Sequence, residues 1–300
     1  MKKNILITGS NGQLGFALNN KLKKYFNVVP TMKVKKSYHT ADCKILDITD
    51  KQNVCKILNQ FRPNVLINCS AFSNVDGCEA DKKKAYNINV EGVRNLISHS
   101  DKDALIIQIS SDYIFDGNDG PYSEDDPAYP INYYGKTKLE AENILRGSRR
   151  KFIIFRPNVI YSDNLHVKSN FFSWVYRSLI SDKRIYVVND QISNPTYLND
   201  FVEIIFKSIL LNSEGIFNYG CDGCISRYDF AKLIAKIFGF NENLIIPVET
   251  DYLRKKIKTY IANRPQNSSL NTNKIQNQLD INTISTEHSL KKIKKILIHI

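Results

Sequence analysis

Along the first half of the chain, short apolar runs alternate with stretches whose apolar residues recur every three or four positions. Asn4-Ile-Leu-Ile-Thr8 runs directly into Gly9-Ser-Asn-Gly12-Gln-Leu-Gly15, after which Leu14, Leu18, Leu22 and Phe26 repeat every four residues. This pattern predicts a buried strand, a glycine turn and a helix packed back on the strand. Phe26 to Pro30 predicts a second strand. Thr49-Asp50 reads as the cap of a helix carrying Val54, Ile57, Leu58 and Phe61 on one face, broken by Arg62-Pro63-Asn64. Buried strands are expected at Val65 to Ala71 and Ala104 to Ser110, with a helix from Tyr86 to Leu96 between them. A helix opens at Tyr134 and continues through Leu145, and a strand at Phe152 to Phe155 is ended by Arg156-Pro157. Strand and helix in strict alternation imply a doubly wound parallel sheet of Rossmann type.

The alternation weakens beyond that strand. Helices are predicted at Asn170 to Ile180, Leu198 to Leu211 and Arg227 to Phe238, and strands at Arg184 to Val188 and Gly215 to Tyr219. Asn189 to Tyr197 reads as a loop, and the tail Leu290 to Leu297 as a basic amphipathic helix. The expected organisation is a dinucleotide-binding domain over 1–157 and a smaller α/β part over 158–300 that is mainly substrate-binding. Some segments of the second part are expected to return and pack on the Rossmann sheet.

The candidate chemistry gathers at strand ends. A helix entered through glycines presents unpaired N–H groups and a positive dipole end to a pyrophosphate. Ligands of such sheets collect at the carboxyl ends of the strands, where Gly12, Ala71 and Ser111 all fall. Tyr134 and Lys138 lie one turn apart on one helix face. A free phenol, with a pKa of about 10, is a poor proton relay near neutrality until a cation favours its anion. At about 4 Å and an effective dielectric of about 20, an ammonium supplies roughly 4 kcal/mol of such attraction. Ser111 can then hydrogen-bond the same substrate oxygen that Tyr134 protonates, and the three together polarise a carbonyl for hydride attack. The turn-rich loop between Asp116 and Pro130 is expected to border the substrate pocket. No acidic residue ends the second strand to bind ribose hydroxyls; Lys33, Lys35 and Lys36 follow instead, which favours NADPH, with NADH the alternative.

Composition narrows the remaining classes. With 42% apolar and 24% charged residues in 300, the chain has a globular balance and no apolar run long enough to span a bilayer. The opening Met1-Lys-Lys stretch loses its apolar character too soon for a secretory signal, so a cytoplasmic protein is expected. The net charge of +12 suits acidic partners but is spread over separate helix faces, with no aromatic-interleaved nucleic-acid signature. Neither nucleic acid nor membrane is expected as a partner. Six scattered cysteines and five histidines form no disulfide framework or metal-ligand pattern, and Cys221-Asp-Gly-Cys224 lacks a second pair, so no metal is expected.

Several separated motifs in order resemble the dTDP-4-dehydrorhamnose reductase family of the extended short-chain dehydrogenase/reductases. They are Thr8-Gly9-Ser-Asn-Gly12-Gln-Leu-Gly15, Asn68-Cys-Ser-Ala-Phe-Ser-Asn-Val-Asp76, Ser110-Ser-Asp-Tyr-Ile-Phe-Asp-Gly117, the Tyr134 and Lys138 pair, Asp190-Gln-Ile-Ser-Asn-Pro-Thr-Tyr197 and Arg264-Pro-Gln-Asn-Ser-Ser-Leu270. The resemblance implies NAD(P)H-dependent reduction, at C4, of a nucleotide-linked 4-keto-6-deoxy sugar. It implies that Tyr134 is the acid, that Lys138 tunes it and holds the nicotinamide ribose, and that Ser111 assists. It places the cofactor against Gly9, Asn11, Gly12, Gln13, Leu14, Gly15, Asp47, Ile48, Cys69, Ser70 and Ala71, together with Tyr134 and Lys138. It turns Asp112, Tyr113 and Asn158 toward the sugar. Arg156-Pro-Asn-Val159 stands where many members have Arg-Thr-Ser-Trp, which leaves the sugar open. Ala17 aligns where some members carry a glutamate of a magnesium-bridged dimer, so a homodimer is left open and magnesium is not expected. Two alternatives remain: an epimerase or dehydratase of the same fold, and a non-catalytic NADP-binding regulatory subunit like the β subunit of methionine adenosyltransferase.

Overall fold

The structure is a computed structural model that describes residues 2–34, 42–165, 170–259 and 261–298. Seven strands form its main sheet: β1 (Asn4–Thr8), β2 (Asn27–Met32), β3 (Lys44–Ile45), β4 (Val65–Asn68), β5 (Leu105–Ile109), β6 (Phe152–Pro157) and β7 (Gly215–Tyr219). Their order is β7-β6-β5-β4-β1-β2-β3. From β1 the chain builds outward through β2 to β3, then returns to β4 on the other side of β1. The carboxyl ends of β1 and β4 therefore flank the point where strand order reverses, the crevice in which such sheets bind ligands. β1 pairs in parallel with both β2 and β4, and β4 with β5 and β5 with β6 likewise.

The chain divides into two compact units. The first comprises Met1–Ile114, Pro130–Arg156 and Val202–Phe217; the second comprises Phe115–Tyr129, Pro157–Phe201 and Asn218–Ile300. In the first unit the helices α1 (Gln13–Leu22), α2 (Lys51–Phe61), α3 (Gly92–His99) and α4 (Tyr133–Gly147) cover the sheet. Val54, Ile57 and Leu58 of α2 pack with Leu6, Leu66 and Leu96 in one core cluster, while Ala141 and Leu145 of α4 join Val93, Ile97, Ile106 and Ile154 in another. Asp50 caps α2 as its sequence predicts, accepting from the amides of Gln52 and Asn53.

Three local expectations are corrected. The helix read as continuous from Tyr86 is a short α-segment, Lys82–Tyr86, followed by a π-turn, Asn87–Glu91, and then α3. The wide turn carries Asn89 into the interior, where its amide is fully used, as described below. Arg156-Pro157 does not end the strand before it but completes β6, with Pro157, which has no N–H to give, as its final residue. Asn189 to Tyr197 is not all loop: Ile192–Ser193 pairs antiparallel with Ile225–Ser226, and Thr196–Tyr197 pairs parallel with Ile160–Tyr161. Those partners lie too far off in sequence for local pattern to show them.

The second unit has its own core, in which Tyr161, Phe172, Val175, Leu179, Ile185, Phe230 and Ile234 are buried together. An asparagine lattice holds its motif segments. Asn194 Nδ2 donates to Leu270 O at 2.9 Å, and its Oδ1 accepts from the Leu270 amide at 2.9 Å and from Asn158 Nδ2 at 2.8 Å. The loop after Phe115 closes on itself: the Tyr122 hydroxyl donates to Asp116 and accepts from the amides of Gly117 and Asp119, and its ring stacks on Phe115 at 4.2 Å. Among the described residues, no helix is long and apolar enough to cross a membrane.

Candidate active site

The glycine turn after β1 is shaped by close approach. A Cβ on Gly15 would stand 2.5 Å from Gly9 O, and one on Gly9 would stand 3.0 Å from the backbone of Cys69 and Ser70. Only hydrogen fits at these points, so the turn folds tightly and lies against the segment leaving β4. Gly12 is the N-cap of α1 and brings no side chain to satisfy the first helical amides. A helix N-terminus entered through a glycine cradle of this kind suits the pyrophosphate of a dinucleotide.

A row of buried polar side chains runs across the strands beside this turn. The parallel register sets Thr8 beside Asn68 and Asn68 beside Gln108. Thr8 Oγ1 donates to Asn68 Oδ1 at 2.6 Å, Asn68 Nδ2 to Gln108 Oε1 at 2.8 Å, and Gln108 Nε2 to Ile109 O at 2.9 Å. Ile109 O also accepts from Lys138 Nζ. The glycine turn and the lysine of α4 are thus joined through three strands by side chains that sequence reading passed over. Their signal was weak but present: Asn68 ends and Gln108 interrupts strands whose other residues are apolar.

At the end of β5 the chain turns through Ser111, Asp112 and Tyr113, all buried. Ser111 Oγ donates to Asp112 Oδ1 at 2.9 Å and accepts the Tyr113 amide at 3.1 Å. Asn132 caps α4 by accepting from the Gly135 amide at 2.8 Å. A Cβ on Gly135 would be 2.0 Å from Tyr113 O, so glycine here lets the first turn of α4 lie directly on the Ser111 turn. The Tyr134 phenol lies beside the Ser111 side chain. The rings of Tyr134 and Tyr113 meet edge to face at 6.2 Å.

The electrostatics differ from the sequence expectation. Lys138 was expected to pull the Tyr134 pKa down; instead burial, and after it the Asp112 carboxylate, raises it above the usual phenol value, with the Ser111 hydrogen bond opposing. Lys138 is 3% exposed. Burial pulls its pKa down to about 8, against the upward pull of Glu142 first and of Cys69 and Cys78 after it. Burial pushes both thiols up to about 12, so they are neutral near pH 7.

The segment after β4 is fixed on both sides. The Ser70 amide donates to Thr8 Oγ1 and Asn68 Oδ1, each at 3.2 Å. Asn89, from the π-turn, accepts the Phe72 amide at 2.8 Å and donates to Phe72 O at 3.2 Å and Thr137 Oγ1 at 2.9 Å. It clasps the Cys69 to Phe72 segment to the stretch of α4 between Tyr134 and Lys138.

Asp47 sits beyond β3. Its Oδ2 is 2.8 Å from Lys33 Nζ, and its Oδ1 accepts from Thr49 Oγ1 at 2.7 Å. Burial raises the Asp47 carboxyl, but the bonds from Lys33 and Thr49 outweigh it and hold the carboxyl below its usual range. Ile48 is buried against Gly92. Of the three lysines expected to meet a 2′-phosphate, Lys33 is thus paired, while Lys35 and Lys36 lie outside the described residues.

The first unit therefore contains the glycine turn, Asp47, Ile48, Cys69 to Ala71, Ser111 to Tyr113, Tyr134 and Lys138. Asn158 belongs to the second unit, where its amide nitrogen is spent on Asn194 Oδ1 and, at 3.1 Å, on Ser268 O. Cys221 is buried beside the Tyr161 hydroxyl at 3.6 Å while Cys224 is exposed, so the two thiols of that motif occupy different surroundings.

A family model described as the RmlD substrate binding domain matches residues 1–298 of this chain. The chain belongs to the dTDP-4-dehydrorhamnose reductase family. A curated relative named dTDP-4-dehydrorhamnose reductase, from Aggregatibacter actinomycetemcomitans, is 32% identical over 97% of this chain and 98% of its own length. A Bacillus anthracis dTDP-4-dehydrorhamnose reductase solved in complex with NADP superposes with a TM-score of 0.88 at 30% identity, covering 99% of this chain and 100% of that one. A Clostridium acetobutylicum dTDP-4-dehydrorhamnose reductase structure gives a TM-score of 0.84 at 34% identity over 98% and 99% of the two chains.

Proposed function

We propose that this protein is an NADPH-dependent reductase of a nucleotide-linked 4-keto-6-deoxy sugar, acting at C4 in the manner of its dTDP-4-dehydrorhamnose reductase relatives. The reading is carried by one observation: Tyr134 and Lys138, one turn apart on α4, stand with Ser111 at the carboxyl end of β5, and Lys138 is linked through Ile109 O, Gln108 and Asn68 to Thr8, where the glycine turn begins. NADPH supplies the hydride when bound, held by the glycine turn and the α1 N-terminus, with Cys69, Ser70 and Ala71 alongside. Lys33, on leaving Asp47, meets the 2′-phosphate. The residues 158–300, with the loop after Phe115, form most of the sugar-binding part, and Asp112, Tyr113 and Asn158 serve the sugar.

Tyr134 is suited to give a proton because burial and Asp112 keep its phenol protonated well past neutrality. Ser111 steadies the substrate oxygen through its hydroxyl, and Tyr134 passes its proton to that oxygen as negative charge develops there. Lys138, as an ammonium, then stabilises the phenolate left behind. A positioned acid of this kind contributes about 10²- to 10⁴-fold in rate.

The test is loss of reduced-nicotinamide absorbance with NADPH and NADH against dTDP-, UDP- and GDP-linked 4-keto-6-deoxy sugars, for wild type and Tyr134→Phe. Turnover of one donor sugar, reduced at least about 10²-fold in the variant, supports the reading. No turnover of any donor, with NADPH bound tightly, refutes it in favour of a regulatory subunit; NAD retained through purification, with sugar isomerised or dehydrated, favours the epimerase or dehydratase.

A further inference from the structure

Glu142 is the third residue of a series on α4, one turn beyond Lys138 as Lys138 is one turn beyond Tyr134. It is fully buried. Its carboxylate accepts from Arg156 Nη2 at 2.7 Å and from Arg156 Nε at 3.1 and 3.2 Å, and from the Ser110 hydroxyl. Arg156 is itself 2% exposed. The arrangement follows from the ladder: Ile109 lies beside Phe155 in the β5 and β6 register, so the next step sets Ser110 beside Arg156, under the helix.

A buried carboxylate and guanidinium of this kind is a poor device for stability alone, since desolvating two charges offsets most of their attraction and a neutral pair of similar volume often serves as well. Its position offers another use. Lys138 is buried with its ammonium on a single backbone oxygen, a setting that favours losing the proton. The groups acting on it are Glu142 from its own helix, Cys69 from the segment after β4 and Cys78 from the helix Val75–Ala80; the thiols are neutral, so Glu142 brings the charge. Arg156, from β6, opposes it but is spent on the carboxylate.

We infer that Glu142, clasped by Arg156 and Ser110, is a positioning residue whose buried carboxylate keeps Lys138 an ammonium while its bonds to β5 and β6 fix the helix that carries Tyr134. The inference rests on the catalytic reading of Tyr134 and Lys138, but its central statement concerns the charge on Lys138 and is measured without turnover.

Protein labelled with [¹³Cε]lysine is titrated by NMR, the Lys138 resonance being assigned by its loss in Lys138→Met. In Glu142→Gln, which keeps the side chain's size and removes its charge, the Lys138 midpoint falls by about one pH unit or more. The alkaline limb of kcat falls with it. In Ser110→Ala, which keeps both charges, the Lys138 midpoint stays within about 0.3 pH units of wild type. An unmoved Lys138 midpoint in folded Glu142→Gln overturns the inference. If that variant does not fold because Arg156 is left unpaired, Glu142→Gln/Arg156→Met carries the test: the shift is smaller and in the same direction, because Glu142 lies one helical turn from Lys138. No shift there overturns the inference equally. Full activity of Tyr134→Phe, by contrast, overturns the catalytic reading and leaves the NMR result standing.

Discussion

Replacing Gly135 by alanine separates catalysis from stability. The added methyl would lie 2.0 Å from Tyr113 O, a backbone atom that no rotamer change can move aside. To reach a tolerable contact of roughly 3 Å, α4 and the Ser111 turn must part by about 1 Å. The strain of overpacking costs about 1 to 3 kcal/mol. Alanine returns up to about 1 kcal/mol through helix propensity, so the net loss of stability is about 0 to 3 kcal/mol and the protein folds. Catalysis is affected more, because the displaced contact is the one that sets Tyr134 against Ser111, and a misplacement of about 1 Å can cost roughly 10²-fold in kcat. NADPH affinity, set mainly by the glycine turn, stays within about three-fold of wild type. Initial rates at saturating sugar, thermal unfolding and NADPH titration measure the three quantities. A folded Gly135→Ala protein with kcat within three-fold of wild type refutes the claim that this close approach aligns the site.

The remaining predictions are shorter. Lys138, pulled down to about 8, is charged below that pH and neutral above it; because its charged form stabilises the phenolate, kcat falls as pH rises through about 8. A flat profile to pH 10 contradicts the role given to the ammonium. Arg156→Met leaves the Glu142 carboxylate buried without its guanidinium and destabilises the protein by about 3 to 5 kcal/mol, read by denaturant unfolding; a loss under about 1 kcal/mol shows that the pair contributes little to the fold. Lys33→Ala, by removing the partner proposed for the 2′-phosphate, lowers kcat/KM for NADPH about ten-fold and leaves NADH unchanged. Equal loss with both cofactors would assign Lys33 to holding Asp47 instead.

Where a feature depends on neighbours within one turn or one strand, the residues announce it. The run ending at Thr8, the glycines after it and the four-residue repeat of Leu14, Leu18 and Leu22 describe β1, its turn and α1 closely. Asp50 caps the helix it precedes, and Tyr134 and Lys138 share the face their spacing demands. Features that depend on distant partners were illegible. The π-turn at Asn87–Glu91 interrupts a stretch that reads as ordinary helix, because its inward residue Asn89 answers to Phe72 and Thr137, neither of which is near it in the chain. The Glu142 and Arg156 pair could not be seen either, since the two residues are brought together only when the helix packs on the strand that follows it.

By itself the sequence determined the alternation of strands and helices, the place of the glycine cradle at a helix start, and the residue types gathered at the strand ends. Those are consequences of periodicities of two and 3.6 residues and of the backbone demands of glycine, all of them local. Only the tertiary structure decided the charge environment. It ran the hydrogen-bonded row from Thr8 to Ile109 O across three strands and placed Glu142 and Arg156 behind Lys138. It also raised the Tyr134 pKa where spacing alone suggested a lowering. A pKa is set by burial and by which charges are near in space, and neither quantity exists until strands far apart in the chain have been laid side by side.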